Sequence, residues 1–225
     1  APALLVAQEG VVVPAVPEAD HDLSELAREH RVATQMGNQG QAEETVRVLC
    51  EYLWDGAIGP VREVHVWTNR PIWPQALDRP AETPPVPNSL DWDLWLGVAP
   101  ERPYNPIYHP FKWRGWKDFG TGALGDIGCH SFAPIFRALK LNAPTSVEAV
   151  SSPLFDETYP AASIVHYQFP AREDMPPVKL TWYDGGLKPP RPEELEAERE
   201  LGEGGTLYVG DKGKMLDYRL LPESR

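Results

Sequence analysis

The fold of this chain is decided by one stretch, residues 113–130, which reads WRGWKDFGTGALGDIGCH. Apolar residues continue from it at helical spacing, which predicts a mostly buried helix over 120–141. Pro134 lies inside that helix and is expected to kink it one turn after His130. The glycines at 120, 122, 125 and 128 weaken a helix unless they allow close approach of the backbone. We therefore expect a ligand or a second helix to lie close against this one.

Asp126 and His130 are four residues apart, so a helix presents them on one face within mutual reach. A carboxylate beside an imidazole fixes the tautomer of the ring and stabilises its protonated form, which suits a general acid or base. The alternative is a buried Asp–His hydrogen bond that only satisfies two polar groups. The two side chains could also bind a metal, but no third ligand is evident, so no metal is expected.

The segment before this helix, residues 70–111, is rich in both proline and aromatic residues. Prolines recur too often for regular helix or sheet. A disordered linker would be poor in aromatic residues, so we expect an ordered loop pinned by aromatic burial. Within it, residues 91–97 favour a short helix that begins at Asp91 and ends at Gly97.

Upstream of the loop, residues 1–19 form a poorly specified leader. An amphipathic helix is expected over 21–30, a buried strand over 32–36, a second helix over 42–54 and a half-buried strand over 61–68. This alternation of helices and strands is typical of an α/β fold.

Downstream of the helix, β-branched and aromatic residues predict strands over 145–151, 161–169 and 177–183. The acidic segment 193–203 favours a solvated helix or loop face. Residues 207–216 favour a hairpin that turns at Asp211–Gly213, with no further element after it.

Composition limits the function classes. The 225 residues carry 33 acidic and 21 basic side chains, a formal net charge of −12. Such a balance argues against a nucleic-acid partner, which would need clustered Lys and Arg. No apolar run approaches the length of a membrane span, and two cysteines cannot build a disulfide framework. We expect a soluble acidic protein, cytoplasmic or exported with a leader that is not present here.

Four ordered motifs resemble consecutive landmarks of the Gfo/Idh/MocA oxidoreductases, the glucose–fructose oxidoreductase and inositol dehydrogenase family. They are VATQMGNQG at 32–40, GPVREVHVWTN at 59–69, DWDLWLG at 91–97 and GALGDIGCH at 122–130. The resemblance implies an N-terminal Rossmann domain that binds NAD or NADP, and a C-terminal α/β domain with an open, largely antiparallel sheet. It also implies hydride transfer to or from a sugar or polyol carbon.

Site residues follow from the same resemblance. Asp126 and His130 would bind the reacting hydroxyl and relay its proton. Gln35, Asn38 and Gln39 would line the nicotinamide. Arg114 would hydrogen-bond sugar hydroxyls, and Trp116 would stack on a sugar face, although ordinary core burial is the alternative for any tryptophan.

The chain departs from the family pattern at its N-terminal side. The Gly-x-Gly-x-x-Gly fingerprint, whose backbone amides hold the pyrophosphate, is absent, because residues 1–40 contain only three glycines. The family's Glu-Lys-Pro motif is also missing, so binding of NAD or NADP by this chain is doubtful. We expect a remnant of the Rossmann domain over 20–57 and a C-terminally incomplete substrate and oligomerisation domain over 58–225. Its sheet should have five or six strands with helices on one face.

Three functions agree with these residues. The first is an NAD(P)-dependent oxidoreductase that acts on a sugar or polyol. The second is an NAD-dependent glycosidase of the same family, which would use the same Asp126 and His130. The third is a truncated, non-catalytic carbohydrate-binding module. The expected partners are the small-molecule substrate and a second copy of the chain, which would cover the open sheet face.

Overall fold

One seven-stranded sheet forms the centre of the computed structural model, which describes residues 25–34 and 39–224. The strands are β1 (Val61–Trp67), β2 (Ser146–Ser151), β3 (Ser163–Phe169), β4 (Val178–Tyr183), β5 (Gly205–Gly210), β6 (Gly213–Leu216) and β7 (Arg219–Leu221). Their order is β2-β3-β4-β1-β5-β6-β7. Strands β1 and β4 pair in parallel and all other neighbours are antiparallel. The predicted open, largely antiparallel sheet is confirmed.

The strand β7 corrects two expectations, because the sheet has seven strands and an element does follow the predicted hairpin. Strands β5 and β6 form that hairpin, with Gly210 opposite Gly213. Asp211 lies in its turn and pairs with Arg62 at 2.9 Å. The three residues of β7 are too few for the alternation of polar and apolar side chains that marks a strand in sequence.

Besides the helical residues 25–29, the described α-helices are α1 (Glu44–Trp54), α2 (Trp92–Leu96) and α3 (Gly122–Ala138). They confirm the helices predicted over 42–54, 91–97 and 120–141. The carboxylate of Asp91 caps α2 by accepting from the amide of Leu94 at 3.1 Å, and Pro134 lies inside α3. Short 3₁₀ segments occupy Gln39–Ala42 and Lys112–Gly115.

The N-terminal expectations are met only in part. Residues 25–29 are helical, whereas residues 32–34 have no regular structure. The rest of the predicted strand over 32–36 and the predicted leader over 1–19 lie outside the described residues.

The main core lies between one face of the sheet and the helices α1 and α3. Ile135 and Trp182, both fully buried, belong to it. Leu49 of α1 belongs to the same core, although α1 falls within the predicted Rossmann remnant. The division of the chain at residue 57 stays a prediction.

The other sheet face is half covered. Leu195 and Leu201, which lie in the predicted acidic segment, pack against Trp67, Tyr183 and Leu207. Most glutamates of the segment are exposed, as predicted, but the leucines fasten it to the sheet. The open part of this face lies toward the β2 edge, where Glu148, Val150 and Gln168 are exposed.

Among the helices of residues 25–34 and 39–224, none is both long and apolar enough to span a bilayer.

Candidate functional site

The loop between β1 and α3 carries most of the candidate site, and it is ordered by buried aromatic rings. Trp73, Tyr108 and Trp116 are each at most 4% exposed. Trp92 stacks on Trp95 with ring centroids 4.8 Å apart. The prediction of an ordered loop pinned by aromatic burial is confirmed.

A buried arginine also holds the loop, and no local sequence pattern indicates it. Arg102 pairs with Asp118 and, at 3.2 Å, with Glu157. The ring centroids of Tyr108 and Phe119 lie 5.4 and 4.9 Å from its guanidinium carbon. The pKa of Glu157 is held below its usual value, chiefly by a hydrogen bond from Arg79 and further by the charge of Arg102.

Two glycines allow the loop to lie against the start of α3. A Cβ at Gly120 would come within 2.6 Å of the backbone oxygen of Arg114. Gly122 has φ +64°, and a Cβ there would come within 2.6 Å of the ring of Tyr159. The predicted close approach therefore occurs, but the neighbours are the chain's own loop and a tyrosine.

This close packing brings Arg114 to Asp126. The Nε of Arg114 donates to Oδ1 of Asp126 at 3.2 Å, and its Nη1 donates to the backbone oxygen of Phe111 at 3.1 Å. Aromatic rings surround the guanidinium carbon, with centroids at 4.5 Å for Phe111, 4.6 Å for Trp113 and 5.8 Å for Trp73. Such contacts favour a fixed orientation of the cation.

His130 follows Asp126 by one turn of α3, so the two residues share a helix face. His130 is exposed, and the side chains of Asp126 and Arg114 are each 27% exposed. The exposure of His130 argues against the alternative in which the Asp–His pair is buried. Three polar groups instead line a surface that solvent and a small molecule can reach.

Other predicted site residues fall in different places. Gln39 is exposed and begins a 3₁₀ segment that contacts α3. Gln35 and Asn38 lie outside the described residues.

Trp116 requires a correction. Its side chain is 0% exposed, its ring packs edge-on against Tyr108 at 4.7 Å, and its Nε1 donates to the backbone oxygen of Ile107 at 3.2 Å. A sugar cannot stack on a ring that the loop encloses, so Trp116 belongs to the core of the loop.

A cleft of about 260 Å³ lies at the far end of α3. Trp54, Leu139 and Arg172 are among its lining residues, and none of the predicted site residues that the structure describes lines it. Where the structure describes the chain, no three His, Cys, Asp or Glu side chains come together as a metal site.

The described residues do not fit the pyrophosphate of a dinucleotide. Such a group needs glycine amides at a helix N-terminus with open space beside them. Of the α-helices in the described ranges, α3 is the one that begins among glycines, and the space beside Gly120 and Gly122 is filled by Arg114 and Tyr159.

Residues 67–168 match the family described as "Oxidoreductase family, C-terminal alpha/beta domain". None of the curated proteins compared with the chain matches it.

Several solved structures are similar in fold. An oxidoreductase from Thermotoga maritima has a TM-score of 0.52 at 17% identity, over 92% of this chain and 50% of its own. The WlbA dehydrogenase from Bordetella pertussis, in complex with NADH and UDP-GlcNAcA, has a TM-score of 0.51 at 14% identity, over 88% and 46%. A super-repressor mutant of Gal80p from Saccharomyces cerevisiae has a TM-score of 0.51 at 13% identity, over 86% and 43%. The chain spans about half the length of these proteins, and at such identities the likeness concerns the fold alone.

Proposed function

We propose that the chain carries the C-terminal α/β domain of the Gfo/Idh/MocA oxidoreductase family and that this domain binds a sugar or polyol for hydride transfer by an NAD(P)-dependent enzyme. One observation carries the proposal. His130 is solvent-exposed one helical turn from Asp126, whose carboxylate is paired with Arg114.

We propose a separate role for each of His130, Asp126 and Arg114. An exposed imidazole can take the proton of a substrate hydroxyl at neutral pH, so His130 is the proposed general base. Asp126 accepts a hydrogen bond from that hydroxyl and orients it. Arg114 keeps the carboxylate in place and faces the substrate with its remaining N–H groups.

We propose the cofactor from the family resemblance. NAD or NADP would supply the hydride chemistry, and Gln35, Asn38 and Gln39 are the proposed neighbours of its nicotinamide. The contact of the Gln39 segment with α3 supports this assignment. Because the space beside the glycines that begin α3 is filled, we expect the chain alone to bind NAD(P)(H) weakly or not at all. Isothermal titration with both cofactors checks this, and micromolar affinity would contradict it.

The filled space beside the glycines at the start of α3 also favours a second candidate function, a carbohydrate-binding domain without catalysis. A screen of sugars and polyols with NAD and NADP separates the two candidates. Nicotinamide absorbance reports oxidation or reduction of a substrate. Such turnover supports the enzyme if His130→Asn abolishes it. Arg137→Gln, an exposed change on the same helix, is the control and should leave turnover unchanged. Binding of a sugar with no turnover under any cofactor supports the binding domain. If turnover is unchanged in His130→Asn, His130 is not the general base.

A second copy of the chain is the proposed partner for the open half of the sheet. This half-face carries charges of both signs, with Glu148 on β2 and Lys179 on β4, and it exposes Val150 to 69%. Two copies related by a two-fold axis can oppose these charges. Sedimentation equilibrium of the chain and of Val150→Lys tests this, because a dimer through this face should dissociate in the variant.

A further inference from the structure

The cleft of about 260 Å³ at the far end of α3 is formed by four parts of the chain. They are the end of α1, the start of β1, the end of α3 and the turn between β3 and β4. Trp54, Val61, Leu139 and Arg172 are their respective lining residues. Sites for drug-sized ligands measure about 300–1,000 Å³, so this volume suits a ligand with a single ring.

The backbone oxygens at the end of α3 hold two side chains of the cleft. Nε1 of Trp54 donates to the oxygen of Ala138 at 2.8 Å, and Nε of Arg172 donates to the oxygen of Leu139 at 2.8 Å. A helix end leaves such oxygens without partners inside the helix. Because the two oxygens belong to consecutive residues, the indole and the guanidinium lie at the same helix end.

The indole of Trp54 is held in place without being covered. Trp54 is 54% exposed, although its Nε1 is hydrogen-bonded. Met175 lines the same cleft, and a thioether packs favourably beside aromatic rings. An indole that is already fixed loses little freedom when a second ring packs on it.

Arg172 brings a cation to the cleft, and in the described part of the chain no carboxylate pairs with it. Its Nη1 donates to the backbone oxygens of Pro170 and Pro176. Its Nη2 contacts Sδ of Met175 at 3.8 Å, and a thioether is a weak acceptor. Burial lowers the pKa of Arg172 below its ordinary value, and no acidic group opposes this effect.

The neighbouring charges leave Arg172 positive. Lys140 also lines the cleft and pairs with Glu173 at 2.5 Å. The pKa of Lys140 is raised, chiefly by that hydrogen bond and further by the charge of Asp174, which lines the cleft as well. These two acids therefore balance Lys140. The end of α3 contributes only about half a negative charge, so part of the guanidinium charge stays uncompensated.

We propose that this cleft binds a small aromatic carboxylate, with the ring against the indole of Trp54 and the carboxylate on the guanidinium of Arg172. The ring covers exposed apolar surface, and the carboxylate supplies the anion that the cation lacks. Charge-assisted hydrogen bonds of this kind are stronger than neutral ones. The site is separate from the face of α3 that carries Asp126 and His130, so it does not depend on the proposed function.

Three probes separate the two contacts in the unmodified chain. Benzoate has both the ring and the charge, benzyl alcohol has the ring alone, and acetate has the charge alone. Each is titrated into the full chain, and binding is followed by the chemical shifts of backbone amides and indole N–H groups. We expect a dissociation constant on the order of 1 mM for benzoate, and affinities at least about tenfold weaker for the other two probes. The largest shifts should occur at Nε1–H of Trp54 and at the amides of 172–175.

Two variants remove the contacts one at a time. Arg172→Gln removes the charge, so benzoate should bind no more tightly than benzyl alcohol. Trp54→Leu removes the ring, so benzoate should bind about as weakly as acetate. Tyr52→Leu is the matched control, because Tyr52 is an exposed aromatic residue of α1 that does not line this cleft, and it should leave the affinity for benzoate unchanged.

Thermal unfolding shows whether each variant is folded. Arg172→Gln also loses hydrogen bonds to the backbone, and if it unfolds, Trp54→Leu and the three probes still decide the matter. Benzyl alcohol or acetate that binds as tightly as benzoate overturns the inference, and so does binding of no probe. Benzoate that shifts residues elsewhere, or that binds Trp54→Leu as tightly as the wild type, contradicts it as well.

Discussion

Arg114 donates to Asp126 across 3.2 Å and so joins the tryptophan-rich loop to the helix that carries His130. The loop and helix come together because Gly120 has no side chain where Arg114's backbone passes. The candidate site is therefore a product of backbone packing as much as of its polar residues.

Gly120→Ala should disturb both the fold and the site. The new Cβ would lie 2.6 Å from the backbone oxygen of Arg114, so the loop must move. We expect a loss of about 1–3 kcal/mol in the free energy of unfolding, measured by chemical denaturation.

Gly128→Ala is the matched control, since its Cβ would meet its nearest neighbour at an ordinary 3.4 Å. The control should be neutral or stabilising, because alanine favours helix by about 1 kcal/mol over glycine. Equal losses in the two variants would mean that the clash at Gly120 does not position the loop.

Arg102→Met should destabilise the loop strongly. The Arg102 side chain is 2% exposed and pairs with Asp118 and Glu157, so its loss leaves two carboxylates without their buried cation. We expect a loss of about 3 kcal/mol in the free energy of unfolding.

Arg79→Met is its control, because Arg79 pairs with the same Glu157 but is 50% exposed. Its loss should cost less than about 1 kcal/mol. If the two variants are equally stable, Arg102 does not hold the loop.

Trp116 and Phe111 should separate stability from binding. Trp116→Phe leaves a cavity in the aromatic core of the loop, so it should lower the free energy of unfolding by about 2 kcal/mol. Phe111→Ala removes an exposed ring, so it should weaken binding of a sugar or polyol and cost less stability. If Trp116→Phe weakens binding and Phe111→Ala leaves it unchanged, the predicted stacking role of Trp116 is restored.

His65 should make stability depend on pH. Burial lowers the pKa of His65 from 6.5, although Glu63 partly opposes this and Lys179 adds to it. The unfolded chain then binds more protons just below pH 6.5, so stability is lost as pH falls from 6.5 through the lowered pKa. His65→Gln should lose less stability than the wild type between about pH 7 and about pH 5, as thermal unfolding would show. An unchanged pH dependence would exclude His65 as its source.

Asp184 should act in the opposite direction. It is 4% exposed and accepts from the amide and hydroxyl of Ser163 and from Nε1 of Trp182. Burial raises its pKa above 3.8, against the lowering effect of these hydrogen bonds. The folded chain binds the proton more tightly, so this group's contribution to stability falls as pH rises from 3.8 through the raised pKa.

Asp184→Asn removes that titration. The stability difference between wild type and variant should therefore shrink as pH rises from about 4 toward neutrality, measured by urea denaturation. A difference that grows with pH would contradict the raised pKa.

Much of the fold could be predicted because its signals are local. The helix α3 follows from apolar spacing through Ile135, and β3 and β4 follow from β-branched and aromatic runs. The family resemblance pointed to the same open sheet. Strand β7 was missed because it is three residues long.

The candidate site could be predicted only where one element fixes it. Asp126 and His130 share a helix, so their spacing was sufficient. Arg102 and Glu157 lie 55 residues apart and meet through tertiary packing, which has no local signature. Trp116 was assigned to the substrate because a tryptophan next to a motif does not reveal whether its ring faces solvent.

Alkylation of Cys129 tests the central claim most directly. Its thiol is exposed on α3 between Asp126 and His130, while Cys50 is 3% exposed and serves as an internal reference. If this face of α3 binds the substrate, saturating myo-inositol, D-glucose or D-glucitol should slow modification of Cys129 by iodoacetamide at least about tenfold for one of them, with Cys50 unchanged. Equal rates with and without all three polyols would contradict the assignment of this face as the substrate site.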